Sequence, residues 1–332
     1  MDQQSQQLIL DNVRTQVASR WSQMVTELRS YGDQDLSTFL RESGIELPDV
    51  LRQGSRSWTE LRRDAGLPTP AGTQREPKLL KRGRAFAHVD DAHRAQGYDR
   101  LLRDGAPPYE QLPAAEQRLA RMLFFSVWPD GGGHESYEAG LAVLRGEAAV
   151  RHELRSVVDF AFEAARHPAL QLDGRLADTP LRVHARYQRE EILSALEYAD
   201  LTRKPTSVMQ GVAYSQALNA DILFVTLKKS EADYSPTTMY RDYPINPTLF
   251  HWESQSTTSV ASPTGQRYVT GSSSVLLFVR EEQKDEFGTA PYLFLGPARY
   301  VSHVGERPIA IRWRLKHPMP SEFFNSATVA AN

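Results

Sequence analysis

Val275–Val279, VLLFV, and Ile309–Leu315, IAIRWRL, decide how the second half of this chain folds. The first run is apolar at every position, so both faces of a strand built from it must be covered, and it belongs in the middle of a sheet. The second alternates apolar residues with Arg312 and Arg314, which fits a strand with one wet face. Working outward, GVAYSQALNADILFVTLK (211–228), RYVTGSSSVLLFVRE (267–281) and YLFLGPARYVSHV (292–304) also read as strands, separated by Gly, Asn, Ser and Pro turns. RYQREEILSALEYAD (186–200) reads as a helix carrying Ile192, Leu193 and Leu196 inward. The expectation is a curved sheet or partly open barrel whose loops project from one rim, a suitable place to hold a ligand.

Between these strands lies a dense polar and aromatic cluster. Tyr240, Asp242, Tyr243, Phe250, His251, Trp252, Ser254 and Gln255 fall within sixteen residues, whereas aromatics make up 9% of the chain. Two explanations compete. The aromatics are core residues of a β-fold with polar neighbours satisfying turns at Pro244 and Pro247, or they wall a pocket for a planar ligand. A flipped nucleobase needs such residues, because ring stacking and edge hydrogen bonds must offset an unstacking cost of a few kcal/mol. Under the pocket reading Tyr240, Tyr243 and Trp252 are stacking or wall residues. Asp242 is the edge reader, since a carboxylate accepts from the exocyclic amine of cytosine, and His251, Ser254 and Gln255 contact base or backbone. Lys228, Lys229, Arg241 and Arg267 are the candidate phosphate contacts.

The first half reads as helical. Leu8, Val13, Val17, Trp21, Met24 and Leu28 recur at helical spacing, giving an amphipathic helix that Gly32 ends. LSTFLRESG, ELPDVLRQG and RSWTELRRDAG follow, each closed by glycine. They form a helical module over 1–67, in which Arg52, Arg56, Arg62 and Arg63 offer a helix-turn-helix-like phosphate contact as the minor alternative to a spacer or docking unit. PTPAGTQREP is an exposed linker. Helices over Lys78–His88, Asp91–Arg103, Pro113–Trp128, Ser136–Arg145 and Ala148–Arg166 make a second helical domain over 78–178, and the β-rich domain covers 181–325. His88, Asp90, Asp91 and His93 sit together without an i, i+4 histidine pair, so they read as a capped helix start rather than a metal site.

The ordered segments VTLKKSE, SPTTMYRDY, LFHWESQS, SPTGQRY, VLLFVRE and PYLFLGPARYVSHVGERPIAIRWRL resemble the C-terminal region of bacterial proteins that join a phospholipase-D-type nuclease to a superfamily II helicase. LRVHARYQREEILSAL and SRSWTELRRDAGL fit the segments that follow the helicase there. This group includes modification-dependent (type IV) restriction enzymes similar to SauUSI. The resemblance implies a target-recognition region, a fragment or subunit of a phage-defence enzyme, with an SRA-like or PUA-like fold that reads 5-methylcytosine by base flipping. It implies double-stranded DNA bearing a modified base as partner, with nuclease and helicase modules in cis or trans. The fold expected is therefore α+β, a helical N-terminal part followed by an SRA-like β-rich domain.

Composition sets the remaining bounds. With 332 residues, 40% hydrophobic and 24% charged, the chain is long enough for two or three globular domains. A net charge of −2 excludes a histone-like electrostatic binder, although 16 basic against 15 acidic residues from Leu181 onward make that part the less acidic. The absence of cysteine excludes disulfides and thiolate metal sites. With an N-terminus unlike a signal peptide, it fits a cytoplasmic protein. A His-x-Lys nuclease pattern, a P-loop (Gly131, Gly132 and Gly133 lack the Lys-Ser/Thr pair), a Gly-x-Ser-x-Gly elbow and a zinc-protease motif are all missing from the sequence. No catalysis, metal or cofactor is assigned to the chain alone. In the alternative class of function, the chain couples a helicase-nuclease to a partner or a second copy through the helix around Leu8–Leu28, without base readout.

Overall fold

The structure, a computed structural model, describes residues 20–51, 56–165, 167–208, 210–228 and 242–330. Its fold is α+β, a helical region followed by a mixed, partly open sheet. Among the described residues no helix is long and apolar enough to cross a membrane.

Helix α1 occupies residues 20–31, followed by α2 (Leu36–Ser43), α3 (Leu47–Val50), α4 (Trp58–Asp64), α5 (Glu76–Leu80), α6 (Ala92–Leu102), α7 (Ala114–Val127), α8 (Tyr137–Gly146) and α9 (Ala148–Glu163). Side chains fix several starts: Asp35, Ser57, Asp91 and Ser136 each accept from the backbone N–H three residues on, satisfying a donor the helix leaves orphaned. Gly44 ends α2 at φ 69° while its N–H donates to the Leu40 carbonyl at 3.0 Å, a left-handed stop that glycine adopts without steric cost. The helix expected over Lys78–His88 is shorter than its apolar spacing suggested, because it tightens after Leu80 into a 3₁₀ turn at Gly83–Phe86. The turn packs closely on α9, where a Cβ on Gly83 would stand 3.3 Å from Glu153 Cγ. In α1, Met24 and Leu28 are buried in the chain's own core; Leu8, Val13 and Val17, the earlier part of the expected amphipathic helix, lie outside the described residues.

Short strands β1 (Leu170–Gln171) and β2 (Arg182–Val183) pair with each other, and β3 (Arg186–Tyr187) leads into α10 (Arg189–Ala195). The main sheet then uses β4 (Val212–Ser215), β5 (Ala220–Thr226), β6 (Tyr243–Asn246), β7 (Leu249–Glu253), β8 (Ser274–Arg280), β11 (Tyr292–Val304) and β12 (Ala310–Leu315), with α11 (Pro263–Thr270) before β8 and α12 (Ser321–Ala330) at the end. Between β8 and β11, β9 (Lys284–Asp285) and β10 (Gly288–Thr289) form a separate hairpin. The order is β4-β5-β8-β11-β12-β7-β6, with β3 beside β11; β5 and β8 run parallel and the other neighbours antiparallel. The ends of this path do not pair, so the sheet is open. Its curvature comes from β11, which pairs with β8 over its first half and β12 over its second and slips register at Phe294/Gly296 and Tyr300/Ser302. Gly296 has φ 94°, and a Cβ there would meet Val183 Cγ1 at 3.0 Å, so the bend depends on glycine.

VLLFV is buried throughout as the middle of β8, and β12 alternates with Arg312 and Arg314 exposed, as the two sequence patterns require. One departure concerns Arg267–Thr270, read as strand but lying in α11. Ser262 caps that helix, Pro263 occupies its first turn and Gly271 stops it at φ 65°; these paired boundary signals outweigh four residues of strand-like sequence.

Two cores cover the two sheet faces. Ile222, Phe224, Leu276, Phe278 and Phe294 join a continuous apolar core with Phe39, Trp58, Tyr98, Phe124 and Leu154 of the helical region. Leu223, Val225, Leu277, Phe250, Trp252, Tyr268, Trp313 and Phe323 form the second, closed by α11 and α12. Phe278 and Phe294 stack at 4.4 Å in the first, where truncating either would cost about 3–5 kcal/mol.

A buried ionic centre fastens α10 to α6. Glu191 Oε1 accepts from Arg94 Nη1 at 3.0 Å and Tyr98 Oη at 2.9 Å, while Oε2 meets His88 Nε2 at 2.5 Å and accepts the Gln188 N–H at 2.8 Å. Arg94 also reaches Asp91 at 3.1 Å and donates to the Arg186 carbonyl at 2.6 Å, with its guanidinium 4.2 Å over the Tyr187 ring. Burial opposes the Glu191 charge, but Arg94, His88 and the hydrogen bonds outweigh it and hold the carboxyl down at about 2. The Asp90–Asp91 segment is thus a helix start, with Asp91 accepting from Arg94 N at 2.8 Å.

Candidate ligand cavity

A cavity of about 910 Å³ opens beyond the carboxyl ends of β5 and β8, where Phe224, Thr226 and Arg280 lie. Tyr292 from β11, Arg189 and Glu190 from α10, Val208, Gln210 and Gly211 before β4, Gln283 before the small hairpin, and Asp242 with the β7 exit from Trp252 to Thr257 complete its wall. The volume lies within the roughly 300–1,000 Å³ of small-ligand pockets.

One wall is a layer of rings and guanidiniums. The Phe224 and Tyr292 rings meet edge-on at 5.2 Å. The Arg189 guanidinium lies 4.1 Å from the Phe224 centroid and 6.0 Å from that of Tyr292, and Arg280 lies 4.3 Å from Tyr292. Both cations are held in place: Arg189 donates to the Val208 and Gln210 carbonyls at 3.2 and 2.8 Å, and Arg280 to Thr226 Oγ1 at 2.9 Å and the Ala290 carbonyl at 3.0 Å. The Phe224 and Tyr292 rings are themselves buried, so the partly exposed guanidiniums they back are the flat faces a ligand could stack on.

The polar edge comes from other elements. Asp242 is 8% exposed and accepts the Glu253 N–H at 3.0 Å, which ties the start of β6 to the end of β7. Gln283 holds its Oε1 buried without a hydrogen-bond partner, a state that costs about 1–3 kcal/mol unless something donates to it. Burial pushes the Glu190 carboxyl up from its ordinary range, against the pull of Arg82 at 3.9 Å.

The sequence candidates divide. Asp242, Trp252 and Gln255 do meet at this cavity. Trp252 is only 3% exposed and sits edge-on to Tyr268 at 5.5 Å, so it is a wall rather than a stacking platform. Ser254 is fully buried; its hydroxyl accepts the Ile309 N–H at 2.9 Å and donates to the Gln255 carbonyl at 3.2 Å, which makes it a fastener between β7 and the strand beside it. Tyr243 and His251 stack on each other at 4.6 Å on the outer sheet face, away from the cavity lining. Lys228 pairs with Glu282 at the surface. Arg267 grips Asp221 with two hydrogen bonds of 2.8 and 3.0 Å and lies 3.9 Å over Tyr214; this intramolecular pair departs from the phosphate contact expected of it. Tyr240, Arg241 and Lys229 lie outside the described residues.

Sequence reasoning missed Phe224, Tyr292, Arg189, Arg280 and Gln283. The first two read as core apolar residues, and the others stand at the ends of α10 and β8 with no local cluster to mark them. The available signal was positional: polar residues directly after the carboxyl end of a fully apolar strand border a crevice in open sheets.

Residues 181–327 match the family model described as Domain of unknown function (DUF3427). No curated protein matches the chain.

Proposed function

We propose that this chain is a DNA target-recognition module of a modification-dependent restriction system, which flips a modified base, 5-methylcytosine, out of the duplex and reads it in the cavity beyond β5 and β8. Nuclease and helicase parts acting in cis or in trans do the cutting. The unpartnered Gln283 Oε1 beside the Arg189–Phe224–Tyr292–Arg280 layer carries this reading, because an extruded cytosine brings an amine donor and a flat ring together. Asp242 is the second acceptor for that amine, and the apolar flank formed by Val208, Val212 and Trp252 takes the methyl group. The ordered motif resemblance to nuclease-helicase restriction proteins supports the assignment to defence.

Titrating the unmutated chain with plain, methylated and hydroxymethylated duplexes at several salt concentrations tests it, since phosphate attraction and base preference then separate. Tighter binding of methylated DNA, with a fluorescence rise from a base analogue beside the mark, is expected. Equal affinity for all three duplexes would overturn the reading. A stable dimer that binds no DNA at low salt would replace it with a protein-interaction role.

A further inference from the structure

The outer face of the sheet from β11 to β6 bears a cationic row that the cavity does not use. Register places Arg299 of β11 directly opposite Arg314 of β12. In the neighbouring row, Ser302, Arg312, His251 and Tyr243 follow one another across β11, β12, β7 and β6. Arg299, Arg312 and Arg314 are all exposed, and no carboxylate among the described residues pairs with them. Directly opposed like charges destabilise an antiparallel pair, so a sheet with two arginines face to face has a cost that an external anion would remove. Arg312 lies two residues from Arg314 along the strand, about 6.6 Å at the usual rise, so the three arginines are set out over two strands and two rows instead of at one point. That spread, with the Tyr243–His251 ring pair beside it, suits an extended polyanion. The face's acidic residue, Glu253, stands at the end of β7 where the strand enters the cavity lining. The basic row therefore leads to the cavity rim.

We infer that this face, through Arg299, Arg312 and Arg314, is the surface that grips the DNA phosphate backbone and sets the duplex against the cavity mouth. Arg267 and Lys228, committed to Asp221 and Glu282, have no part in it. The inference rests on the DNA-reading function in taking DNA as the polyanion, but it concerns different residues and a different observable.

The test is fluorescence anisotropy on the full chain with labelled plain and methylated duplexes between 50 and 200 mM salt, taken as roughly the range over which counterion release is readily seen. Each lost phosphate contact removes about 0.9 from the slope of log affinity against log salt. The Arg299→Ala/Arg312→Ala/Arg314→Ala variant should therefore flatten the slope by about 2.7 and weaken both duplexes alike, leaving their affinity ratio unchanged, and the corresponding triple lysine variant should restore most of the slope. If the triple alanine variant misfolds, Arg299→Ala alone still decides, since it relieves the opposed pair and should flatten the slope by about 0.9. An unchanged slope in the variants, or no salt-sensitive DNA binding by the unmutated chain, overturns the inference. A flattened slope in a chain that shows no preference for methylated DNA leaves the surface standing and removes the base reading instead.

Discussion

Arg94→Met probes the joint on which the cavity depends. The Arg94 side chain is fully buried and meets Glu191 at 3.0 Å, Asp91 at 3.1 Å and Asp90 at 3.5 Å. Removing it leaves Glu191 a buried carboxylate with His88 and neutral donors for partners, a change that costs about 3–5 kcal/mol. The consequence reaches the site, because Glu191 lies in the first turn of α10, directly after Arg189 and Glu190 of the cavity wall. Urea unfolding at pH 7 should show the loss, and a cycle with Glu191→Gln should show a coupling well above 1 kcal/mol. Acid titration gives a second readout. The Glu191 carboxyl is held at about 2 in the folded chain, below its ordinary 4.5, so its stabilisation is complete above pH 4.5 and is lost as pH falls toward 2. At about 1.4 kcal/mol per unit, this amounts to about 3 kcal/mol. Glu191→Gln should lack that acid-sensitive part. If Arg94→Met costs under about 1 kcal/mol and leaves the acid limb unchanged, the centre is not the fastening described above.

Further outcomes follow from the cavity and the core. Gln283→Leu removes the stranded acceptor, so the unliganded chain should be no less stable by urea unfolding while affinity for the methylated duplex falls about tenfold, the equivalent of one lost hydrogen bond; an unchanged affinity would show that nothing donates to Gln283. Asp242→Asn should keep the fold and lower affinity for the methylated duplex, whereas an unchanged affinity would leave Asp242 only its bond to Glu253. Glu153 of α9 accepts from Trp58 N, Thr59 N and Thr59 Oγ1 at 3.0, 2.7 and 2.8 Å, yet burial pushes its carboxyl up to about 7 from 4.5. The folded chain therefore holds that proton more tightly, and the stability it adds is greatest below pH 4.5 and lost as pH rises to 7, by about 3 kcal/mol. Subtracting the unfolding profile of Glu153→Gln from that of the unmutated chain should reveal this decline, and parallel profiles would rule it out. Arg267→Ala strands the buried Asp221, so thermal unfolding should fall by several degrees while the salt slope of DNA binding stays as it was.

Strands and helices were legible where a residue's neighbours in sequence are also its neighbours in space. VLLFV needed cover on both sides and has it, and IAIRWRL alternates because one side of β12 faces water. The same rule explains the uneven reading of the site. His251 and Trp252 are adjacent in the chain, but β7 turns them to opposite faces: His251 stacks with Tyr243 outside, while Trp252 closes against Tyr268 within. A contiguous cluster therefore overstates what one pocket can collect. The converse holds for Arg189, Phe224, Arg280, Gln283 and Tyr292, which come from separate elements and meet only because β5, β8 and β11 bring their ends together. The Arg267–Asp221 pair was equally invisible, since its partners are 46 residues apart.

The sheet thus faces three environments, and each limits what the chain can do. At β5, β8 and the start of β11 one face is taken by the helical region, with Ile222, Phe278 and Phe294 in the shared core, so a ligand cannot enter there without unpacking the fold. The other face, under α11 and α12, is filled from β5 to β7 by Leu223, Leu277, Trp313, Trp252, Tyr268 and Phe323. What remains accessible is the crevice at the strand ends and the wet outer rows of β11, β12, β7 and β6, one polar and aromatic, the other cationic. β7 links the two, contributing His251 to the second and Trp252 and Glu253 to the rim of the first. A substitution that shifted β7 by one residue would exchange its faces and should abolish base preference, while the salt slope, carried by Arg299 of β11 and Arg312 and Arg314 of β12, should remain. Asp242, whose carboxylate accepts the Glu253 N–H, opposes that slip.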